Sequence, residues 1–231
     1  MNNCNYIGGQ WVQGKGSIIN INPSDTSDII AEYSSATSDQ FEEAVQSALH
    51  AQREWEKVGI EKKSQILIKI GDELIHKSKE LGELLSREEG KPLAEGIGEV
   101  ARAGQQFQYY GSECLRLYGE KIPSTRPGFQ VEISREPLGV IGIISPWNFP
   151  IAIPAWKAAP ALMCGNAVIL KPASLTPASA IELTKIITNQ DIPEGLFNLV
   201  LGSGGDVGNK IATHKDIVAI TFTGSVDVGK K

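Results

Sequence analysis

The sequence has few of the residues that build disulfides or metal sites. Its 231 residues include only three cysteines and three histidines. Cys4, Cys114 and Cys164 lie far apart and form no CxxC pair, which argues against a disulfide framework and against a zinc site. Cys164 follows the apolar stretch "PALM", and we interpret it as a small core residue, since buried cysteine behaves as a small hydrophobe. We expect no metal.

Long apolar runs and clusters of basic residues are also missing. No apolar run approaches the roughly 20 residues that a membrane span requires, and the start "MNNCNYIGGQW" lacks the parts of a signal peptide. The net charge is −5, without a Lys/Arg run that would suit nucleic acid or an anionic membrane. We therefore expect a globular, cytoplasmic protein that binds neither nucleic acid nor membrane.

The first half of the chain shows mainly helical periodicity. Thr37 and Gln40 have the spacing of a capping box at the start of a helix. Two more periodic segments follow, and the second stops at "EGKP", where glycine and proline terminate a helix. A fourth helix is expected from about Leu93 to Tyr118. We interpret residues 1–118 as an N-terminal helical part.

The next residues, 119–136, are predicted to form an extended arm. "EKIPSTRPG" is rich in turn-forming residues, and "FQVEISRE" alternates in period two, as in a strand with one solvated or paired face.

The remaining residues, 137–231, are predicted to form a parallel sheet. Four β-branched runs, "GVIGIIS", "AVILKP", "FNLVLG" and "IVAITFTG", are separated by segments of helical length. Strands that alternate with helices favour an α/β fold, with helices on both faces of the sheet. Ligands of such sheets bind at the carboxyl ends of the strands. The loops at 146–148, 171–174, 202–208 and 224–229 should therefore converge on one rim.

Two of these loops are rich in glycine and lead into expected helix starts. Free backbone N–H groups at such starts favour a phosphate or another anion. Gly204, Gly208, Gly224 and Gly229 do not have the spacing of the standard dinucleotide fingerprint, so ordinary βα turns are the alternative.

The polar residues of the other two loops allow two interpretations each. Lys171 is placed to donate to a ribose hydroxyl or a phosphate, or else is a solvated lysine at a strand end. Ser174 contacts the same ligand or caps the next helix, and Thr176 competes for that cap because proline then follows at the first helical position. Asn148 in "PWNFP" either donates to a negative oxygen or caps a turn.

Four motifs together resemble the aldehyde dehydrogenase superfamily. "PWNFP", the "ALxxGN" segment, "KPAS" and "FTGSVDVG" occur in the order and at about the spacing of that family, and the similarity extends from "YIGGQWV" onward. The resemblance implies a Rossmann-like sheet that binds NAD or NADP, an arm at 119–136 used for oligomerisation, and a homo-oligomer, either dimer or tetramer. It also implies that the fold is incomplete, because the family's catalytic domain follows this part.

The resemblance assigns roles to individual residues. Asn148 would donate to the oxyanion of the thiohemiacetal and thioester intermediates. Lys171 and Ser174 would face the adenosine ribose, while Gly224 and Ser225 would adjoin the pyrophosphate. The complete set of implied coenzyme-binding residues is Ile144, Ser145, Pro146, Trp147, Lys171, Ser174, Gly204, Gly205, Gly208, Phe222, Gly224, Ser225 and Val228.

The same resemblance limits the expected activity. Members oxidise an aldehyde by attack of a cysteine thiolate, hydride transfer to NAD(P)+ and hydrolysis by water that a glutamate activates. Both residues come after the "GSxxxG" motif, and this sequence stops two residues beyond it, at Lys231. We expect that these residues alone have no dehydrogenase activity. A natural short module that only binds a dinucleotide is the alternative.

A short-chain reductase is a third possibility, but none of the five tyrosines has the lysine four residues later that this type requires. Within the superfamily, "ECLRLYGEKIPSTRPG" is similar to the α-ketoglutarate semialdehyde (2,5-dioxopentanoate) dehydrogenases, with succinate-semialdehyde dehydrogenases near behind. Many NAD-preferring relatives have glutamate where this chain has Ser174. Serine does not repel a 2′-phosphate, so we expect NADP+ to be tolerated.

Overall fold

A computed structural model describes residues 4–230 and contains one six-stranded sheet with helices on both faces. The order of its strands is β10-β7-β8-β9-β1-β2. The strands of this sheet are β1 (Asn5–Ile7), β2 (Gln10–Val12), β7 (Val140–Ile144), β8 (Ala167–Lys171), β9 (Phe197–Leu199) and β10 (Ile217–Phe222). Two hairpins lie outside it, formed by β3 (Lys15–Ile21) with β4 (Ile29–Ser35) and by β5 (Glu120–Pro123) with β6 (Gln130–Ile133).

Eight α-helices and one π-helical turn accompany these strands in the described residues. They are α1 (Ser38–Glu56), α2 (Ile60–His76), α3 (Ser78–Glu89), α4 (Leu93–Cys114), α5 (Ala152–Met163), α6 (Pro177–Thr188), the π turn (Gly204–Gly208), α7 (Asn209–Thr213) and α8 (Val226–Gly229). None of them is both long and apolar enough to cross a bilayer.

The predicted parallel sheet is confirmed for β7, β8, β9 and β10, which coincide with the four apolar runs. The connections β7-α5-β8 and β8-α6-β9 step in one direction along the sheet, and β10 pairs with β7 on the other side. Because parallel crossovers are right-handed, α5 and α6 lie on one face and α7 on the opposite face. There α7 adjoins α1, since Lys210 donates to Ser38 at 2.9 Å.

The N-terminal part differs from the prediction. Four strands precede α1, so the description of residues 1–118 as helical holds only from Ser38 onward. The hairpin of β1 and β2 extends the sheet antiparallel to β9, which makes the sheet mixed. These three-residue strands are too short to show a period, and long-range pairing stabilises them. The division of the chain at residues 118 and 136 stays a prediction.

Two predicted helix ends, the start of α1 and the end of α3, are confirmed. The Thr37 hydroxyl accepts from the amide of Gln40 at 3.2 Å, and the Gln40 side chain accepts from the Thr37 amide at 2.9 Å, which completes the capping box. Helix α3 ends at Gly90, whose φ of 89° is the left-handed conformation that glycine adopts without strain. Helix α4 ends at Cys114, four residues before the predicted end at Tyr118.

The expected arm is an antiparallel hairpin rather than a single strand. β5 lies in the stretch that the sequence marked as turn-rich, and it pairs with β6 from Glu120↔Ile133 to Pro123↔Gln130. Every residue of both strands is exposed. The expected role of this hairpin in oligomerisation stays a prediction.

Helices α2, α3 and α4 form a layer that covers α5 and α6. A buried carboxylate of α3 joins this layer to α6. Glu88 accepts from the amides of Ala178 and Ser179, at 2.6 and 2.9 Å, and from the Ser179 hydroxyl at 2.6 Å. Burial raises the pKa of Glu88 to about 7, although the hydrogen bonds from Ser179 and Ala178 oppose this shift. Glu88 thus caps α6 from another helix.

Stability of the chain should depend on pH through Glu88. The folded-state pKa of about 7 lies above the ordinary value of 4.5, so the folded chain binds more protons between these values. The free energy of unfolding of the wild type should fall relative to Glu88→Gln as pH rises from about 5 to about 7, by up to roughly 1.4 kcal/mol per pH unit. Urea denaturation at several pH values measures this difference. Parallel stability curves for the two chains would contradict it.

Candidate functional site

The predicted loops do converge, because the strand ends that precede them lie in one row. The register pairs Phe222 with Ile144 and Ile144 with Lys171, and it pairs Leu170 with Leu199 on the next strand. The strand order reverses between β7 and β10, which is the place where ligands bind to open α/β sheets. The candidate site is therefore the rim formed by the residues that follow these four strands.

Lys171 and Ser174 meet at one backbone carbonyl. The Lys171 ammonium donates to the carbonyl oxygens of Pro172 and Gly202, at 2.6 and 3.2 Å, and the Ser174 hydroxyl donates to the same Gly202 oxygen at 3.2 Å. Lys171 is 4% exposed. Burial lowers its pKa to about 8. Lys171 is therefore not a solvated strand-end lysine, and it links the loops after β8 and β9.

Neither of the two residues considered as the cap of α6 acts as one. Thr176 occupies the cap position, with proline following it, but its hydroxyl accepts no hydrogen bond from the first turn. Ser174 instead points its hydroxyl to Gly202. The carboxylate of Glu88 caps α6 instead, and no local sequence pattern indicates this because the partners are 90 and 91 residues apart.

The glycine-rich loop after β9 is an open π-helical turn, Gly204–Gly208. The Ser203 hydroxyl accepts from the amide of Asp206 at 3.1 Å and fixes the start of this turn. No atom lies within 4 Å of the place where a side chain would begin at Gly204 or at Gly205. At Gly208 the same position is 3.8 Å from the Lys171 side chain. The turn leaves open space beside Lys171.

The loop after β10 packs tightly on Phe222. A Cβ atom at Gly224 would lie 2.5 Å from the Phe222 ring, and one at Gly229 would lie 3.1 Å from it. The ring therefore requires glycine at position 224. The Ser225 hydroxyl accepts from the Val228 amide at 3.4 Å and starts the single turn of α8. Val228 is 54% exposed on the outside of that turn.

Asn148 lies in the segment between β7 and α5, after the half-buried Pro146. It is exposed, as are its neighbours Trp147 and Phe149. The cap position of α5 is Ile151, and no side chain of the segment itself caps the helix. In residues 4–230 the Asn148 carbonyl accepts from Lys91, while no hydrogen bond involves its carboxamide. The structure thus offers no support for the turn-cap alternative, and the carboxamide N–H groups are free to donate.

The start of α5 is held by a side chain from α4 that the sequence analysis missed. Glu99 accepts from the amides of Ile151 and Ala152, at 3.0 Å each. The ammonium of Lys91 donates to the other carboxylate oxygen of Glu99 at 2.6 Å and to the carbonyl of Asn148 at 3.1 Å. A buried glutamate on the apolar face of α4 was the available signal for this cluster.

Lys91 has two further contacts. Its Nζ atom lies 2.8 Å from the carboxylate of Glu89 and 4.3 Å from the centre of the Phe149 ring. Burial by itself would lower the pKa of Lys91, but the ion pairs with Glu89 and Glu99 outweigh it and hold the pKa above its ordinary value. Lys91 therefore carries its positive charge at neutral pH.

Ser145 offers an unused polar atom at the rim. Its backbone amide donates to the Lys171 carbonyl at 3.2 Å, while its hydroxyl is buried without a hydrogen-bond partner in the described residues. A buried polar group without a partner costs roughly 1–3 kcal/mol. The hydroxyl of Ser145, the ammonium of Lys171 and the free backbone of the glycine turns suit a ligand that carries hydroxyl and phosphate groups.

Two of the three cysteines, Cys114 and Cys164, lie away from this rim. Cys164 follows α5 and precedes the first residue of β8. It therefore lies at the amino-terminal end of the parallel strands, opposite the rim. Cys114 ends α4 and contacts the Ile60 carbonyl at 3.6 Å. Burial raises the pKa of both thiols, which makes the reactive thiolate less abundant. Across residues 4–230, no three His, Cys, Asp or Glu side chains are grouped as a metal site.

Comparison with known proteins identifies the family. The family model described as "Aldehyde dehydrogenase family" matches residues 11–231. The chain belongs to this family. The matched region contains all four loops of the rim, so the rim is a feature of an aldehyde dehydrogenase chain, and the resemblance carried by its motifs is confirmed.

Individual aldehyde dehydrogenases agree with this assignment. The 2,5-dioxopentanoate dehydrogenase of Saccharolobus solfataricus is 37% identical over 223 residues, which are 96% of this chain and 47% of that protein. The alpha-ketoglutaric semialdehyde dehydrogenase of Bacillus subtilis is 40% identical over 228 residues, 98% of this chain and 47% of that protein. The expected similarity to semialdehyde dehydrogenases of this type is confirmed.

A solved aldehyde dehydrogenase has the same fold. The betaine aldehyde dehydrogenase of Staphylococcus aureus, crystallised with NAD+, superimposes with a TM-score of 0.96 at 30% identity, covering 100% of this chain and 48% of that one. The predicted α/β fold class is confirmed. The chain spans about half the length of the relatives that it matches.

Burial of Lys171 should give this aldehyde dehydrogenase chain a second pH dependence, of opposite sign to that of Glu88. The folded-state pKa of about 8 lies below the ordinary 10.5, so the unfolded chain binds more protons between these values. The free energy of unfolding of the wild type should rise relative to Lys171→Met between about pH 8 and pH 10, by up to roughly 1.4 kcal/mol per pH unit. Chemical denaturation measures this difference, with Lys185→Met as the control at a less buried lysine. A constant difference over this range would contradict the assignment.

Proposed function

We propose that this chain is the coenzyme-binding part of an NAD(P)-dependent aldehyde dehydrogenase that oxidises a semialdehyde to a carboxylate. The observation that carries the proposal is the convergence of Lys171 and Ser174 on the Gly202 carbonyl, beside an open glycine turn at the carboxyl rim of a parallel sheet. The NAD+ that accompanies the Staphylococcus aureus relative supports it.

The adenosine end of a dinucleotide would lie at the loops that follow β8 and β9. Lys171 and Ser174 would donate to the adenosine ribose, and the open space at Gly204 and Gly205 would take the adenine, with Val228 against the other side of its ring. Gly208 would border the ribose. These groups are a buried ammonium, a hydroxyl and uncovered backbone, which suit the hydroxyls of a ribose and the face of a base.

The phosphates and the nicotinamide would lie toward β10 and β7. Gly224 and Ser225 would offer backbone N–H groups to the pyrophosphate, above the ring of Phe222. The nicotinamide end would contact the residues from Ile144 to Trp147, which include the unpaired Ser145 hydroxyl and Pro146. When bound, the coenzyme supplies a hydride acceptor. The protein's task at this end is to hold the ring and exclude water.

Asn148 would stabilise the negative oxygen that forms on the substrate carbonyl. A carboxamide N–H donates without a pKa of its own, so its contribution does not vary with pH. Removing one donor of this kind costs about 2.7–4 kcal/mol of transition-state stabilisation in a well-studied protease. The relatives support 2,5-dioxopentanoate as the substrate. The other proposed partners are further copies of the chain, in the cytoplasm.

The 231-residue chain should bind the coenzyme without turning it over. Calorimetric titration with NAD+ and with NADP+ should give saturable binding, and Lys171→Ala should weaken it about tenfold, the loss of roughly one charge-assisted hydrogen bond. Addition of 2,5-dioxopentanoate should produce no NAD(P)H, because Cys114 and Cys164 lie away from the rim and the Cys4 thiol donates to the Gln13 side chain at 3.1 Å. Absence of binding would refute the coenzyme site, and a steady rate of NAD(P)H formation would refute the predicted inactivity.

Ser174 should set tolerance for the 2′-phosphate. A carboxylate at this position would bind ribose hydroxyls and repel a phosphate, so Ser174→Glu should weaken NADP+ at least tenfold more than NAD+. Ser112→Glu, which adds the same charge on the exposed side of α4, is the matched control and should leave the ratio of the two dissociation constants unchanged. An unchanged ratio in Ser174→Glu would place the adenosine ribose elsewhere.

A further inference from the structure

The segment that carries Asn148 is held from outside by α4. Helix α5 has no cap of its own, and its first amides, those of Ile151 and Ala152, both donate to one oxygen of Glu99. The Glu99 side chain is only 1% exposed. A buried carboxylate at a helix N-terminus satisfies orphan N–H groups and is favoured by the helix dipole. Glu99 therefore fixes the end of the segment at α5.

Lys91 fixes the middle of the same segment. It follows Gly90, at the sharp end of α3, and its side chain is 9% exposed. Its ammonium lies between the carboxylates of Glu89 and Glu99 and pairs with both. It also donates a hydrogen bond to the Asn148 carbonyl at 3.1 Å. The Nζ atom also lies over the ring of Phe149, at 4.3 Å from its centre. Two adjacent residues of the segment thus contact one buried cation.

This contact restrains the direction of the Asn148 side chain. A short carboxamide has only two rotatable bonds, so its position follows the backbone that carries it. In the described residues, the Asn148 carbonyl accepts from Lys91, and the carboxamide itself has no partner. Catalytic groups lose efficiency when the surrounding residues leave them free to move by about 1 Å. The Lys91 contact supplies a restraint that the segment does not supply for itself.

We propose that Lys91 and Glu99 are positioning residues, which hold the Asn148 carboxamide toward the reacting carbonyl through the backbone of the segment between β7 and α5. This rests on the proposed function of Asn148. Glu99 sets where α5 begins, and Lys91, charged and anchored by Glu99 and Glu89, sets the orientation of the Asn148 peptide.

Single and double substitutions of Lys91 and Glu99 separate an effect on stability from an effect on the orientation of Asn148. Lys91→Met leaves the buried carboxylate of Glu99 without its cation, which destabilises the fold. Glu99→Gln keeps an oxygen for the Ile151 and Ala152 amides but removes the charge. The double variant Lys91→Met/Glu99→Gln has no unpaired charge at the start of α5, and only Glu89 keeps a carboxylate without its cation. It also lacks the contact with the Asn148 carbonyl.

The test uses the 231-residue chain without coenzyme. Thermal unfolding gives stability, and ¹⁵N relaxation at a temperature far below the transition gives order parameters for the Asn148 backbone amide and its carboxamide. Rigid backbone has order parameters of about 0.85 and flexible backbone values below about 0.6. Lys185→Met, which breaks a half-buried pair with Glu182 on α6, is the matched control.

Lys91→Met should lower both the unfolding temperature and the order of Asn148. In the double variant the unfolding temperature should return toward that of Glu99→Gln while Asn148 stays mobile, and Lys185→Met should change neither. Recovery of Asn148 order together with stability in the double variant would overturn the proposal, since the role would then be structural only. So would a rigid Asn148 in Lys91→Met.

Lys91→Arg provides a second variant in case the methionine variants do not fold. Arginine keeps the charge, the carboxylate partners and the contact with the Phe149 ring, and its five N–H groups include donors for the Asn148 carbonyl. Asn148 should therefore be as ordered as in the wild type. A mobile Asn148 in this folded variant would overturn the proposal. Because no coenzyme or aldehyde is present, these results do not depend on the coenzyme titration, and a failure of the proposed function appears only there.

Discussion

Two buried carboxylates connect the helical layer to helices α5 and α6 of the six-stranded sheet, and the geometry of the rim depends on them. Glu88 of α3 caps α6, and Glu99 of α4 caps α5. Both helices begin just after the loops that carry the candidate site, so the same contacts fix the helix starts and the loop ends. Without partners, the first amides of a helix and a buried carboxylate would each be costly, and here each satisfies the other.

The rim itself depends on close packing of polar groups at the strand ends. One carbonyl, that of Gly202, accepts both the Lys171 ammonium and the Ser174 hydroxyl, which ties two neighbouring loops together. Gly202 has φ of +153°, and a side chain there would begin 2.4 Å from Val207. The position requires glycine, and the open glycines that follow leave the room that a ligand needs. Rigid and open parts of the rim therefore alternate within a few residues.

The sequence predicted the parts of the molecule whose signals are local. The four central strands are apolar runs long enough to be recognised, and the caps at Thr37 and Gly90 use nearest-neighbour chemistry. Strands β1 and β2 were not predicted, because three residues show no period and the pairing of β1 with β9 is long-range. The site residues were found as loop motifs, whereas the glutamates and Lys91 that support these loops were not, since their partners are 52 to 91 residues away.

The pairing of β1 with β9 has a consequence for biosynthesis. The Asn5 side chain accepts from the amide of Leu201 at 2.7 Å, and Gly8 donates to Asn198, contacts that span 196 and 190 residues. At the usual 5–20 residues per second, a ribosome needs roughly 10 to 40 s to reach the partner of Asn5. During that interval the first strands remain without their neighbour in the sheet, and the loop that begins at Leu201 acquires its anchor only after most of the chain has emerged.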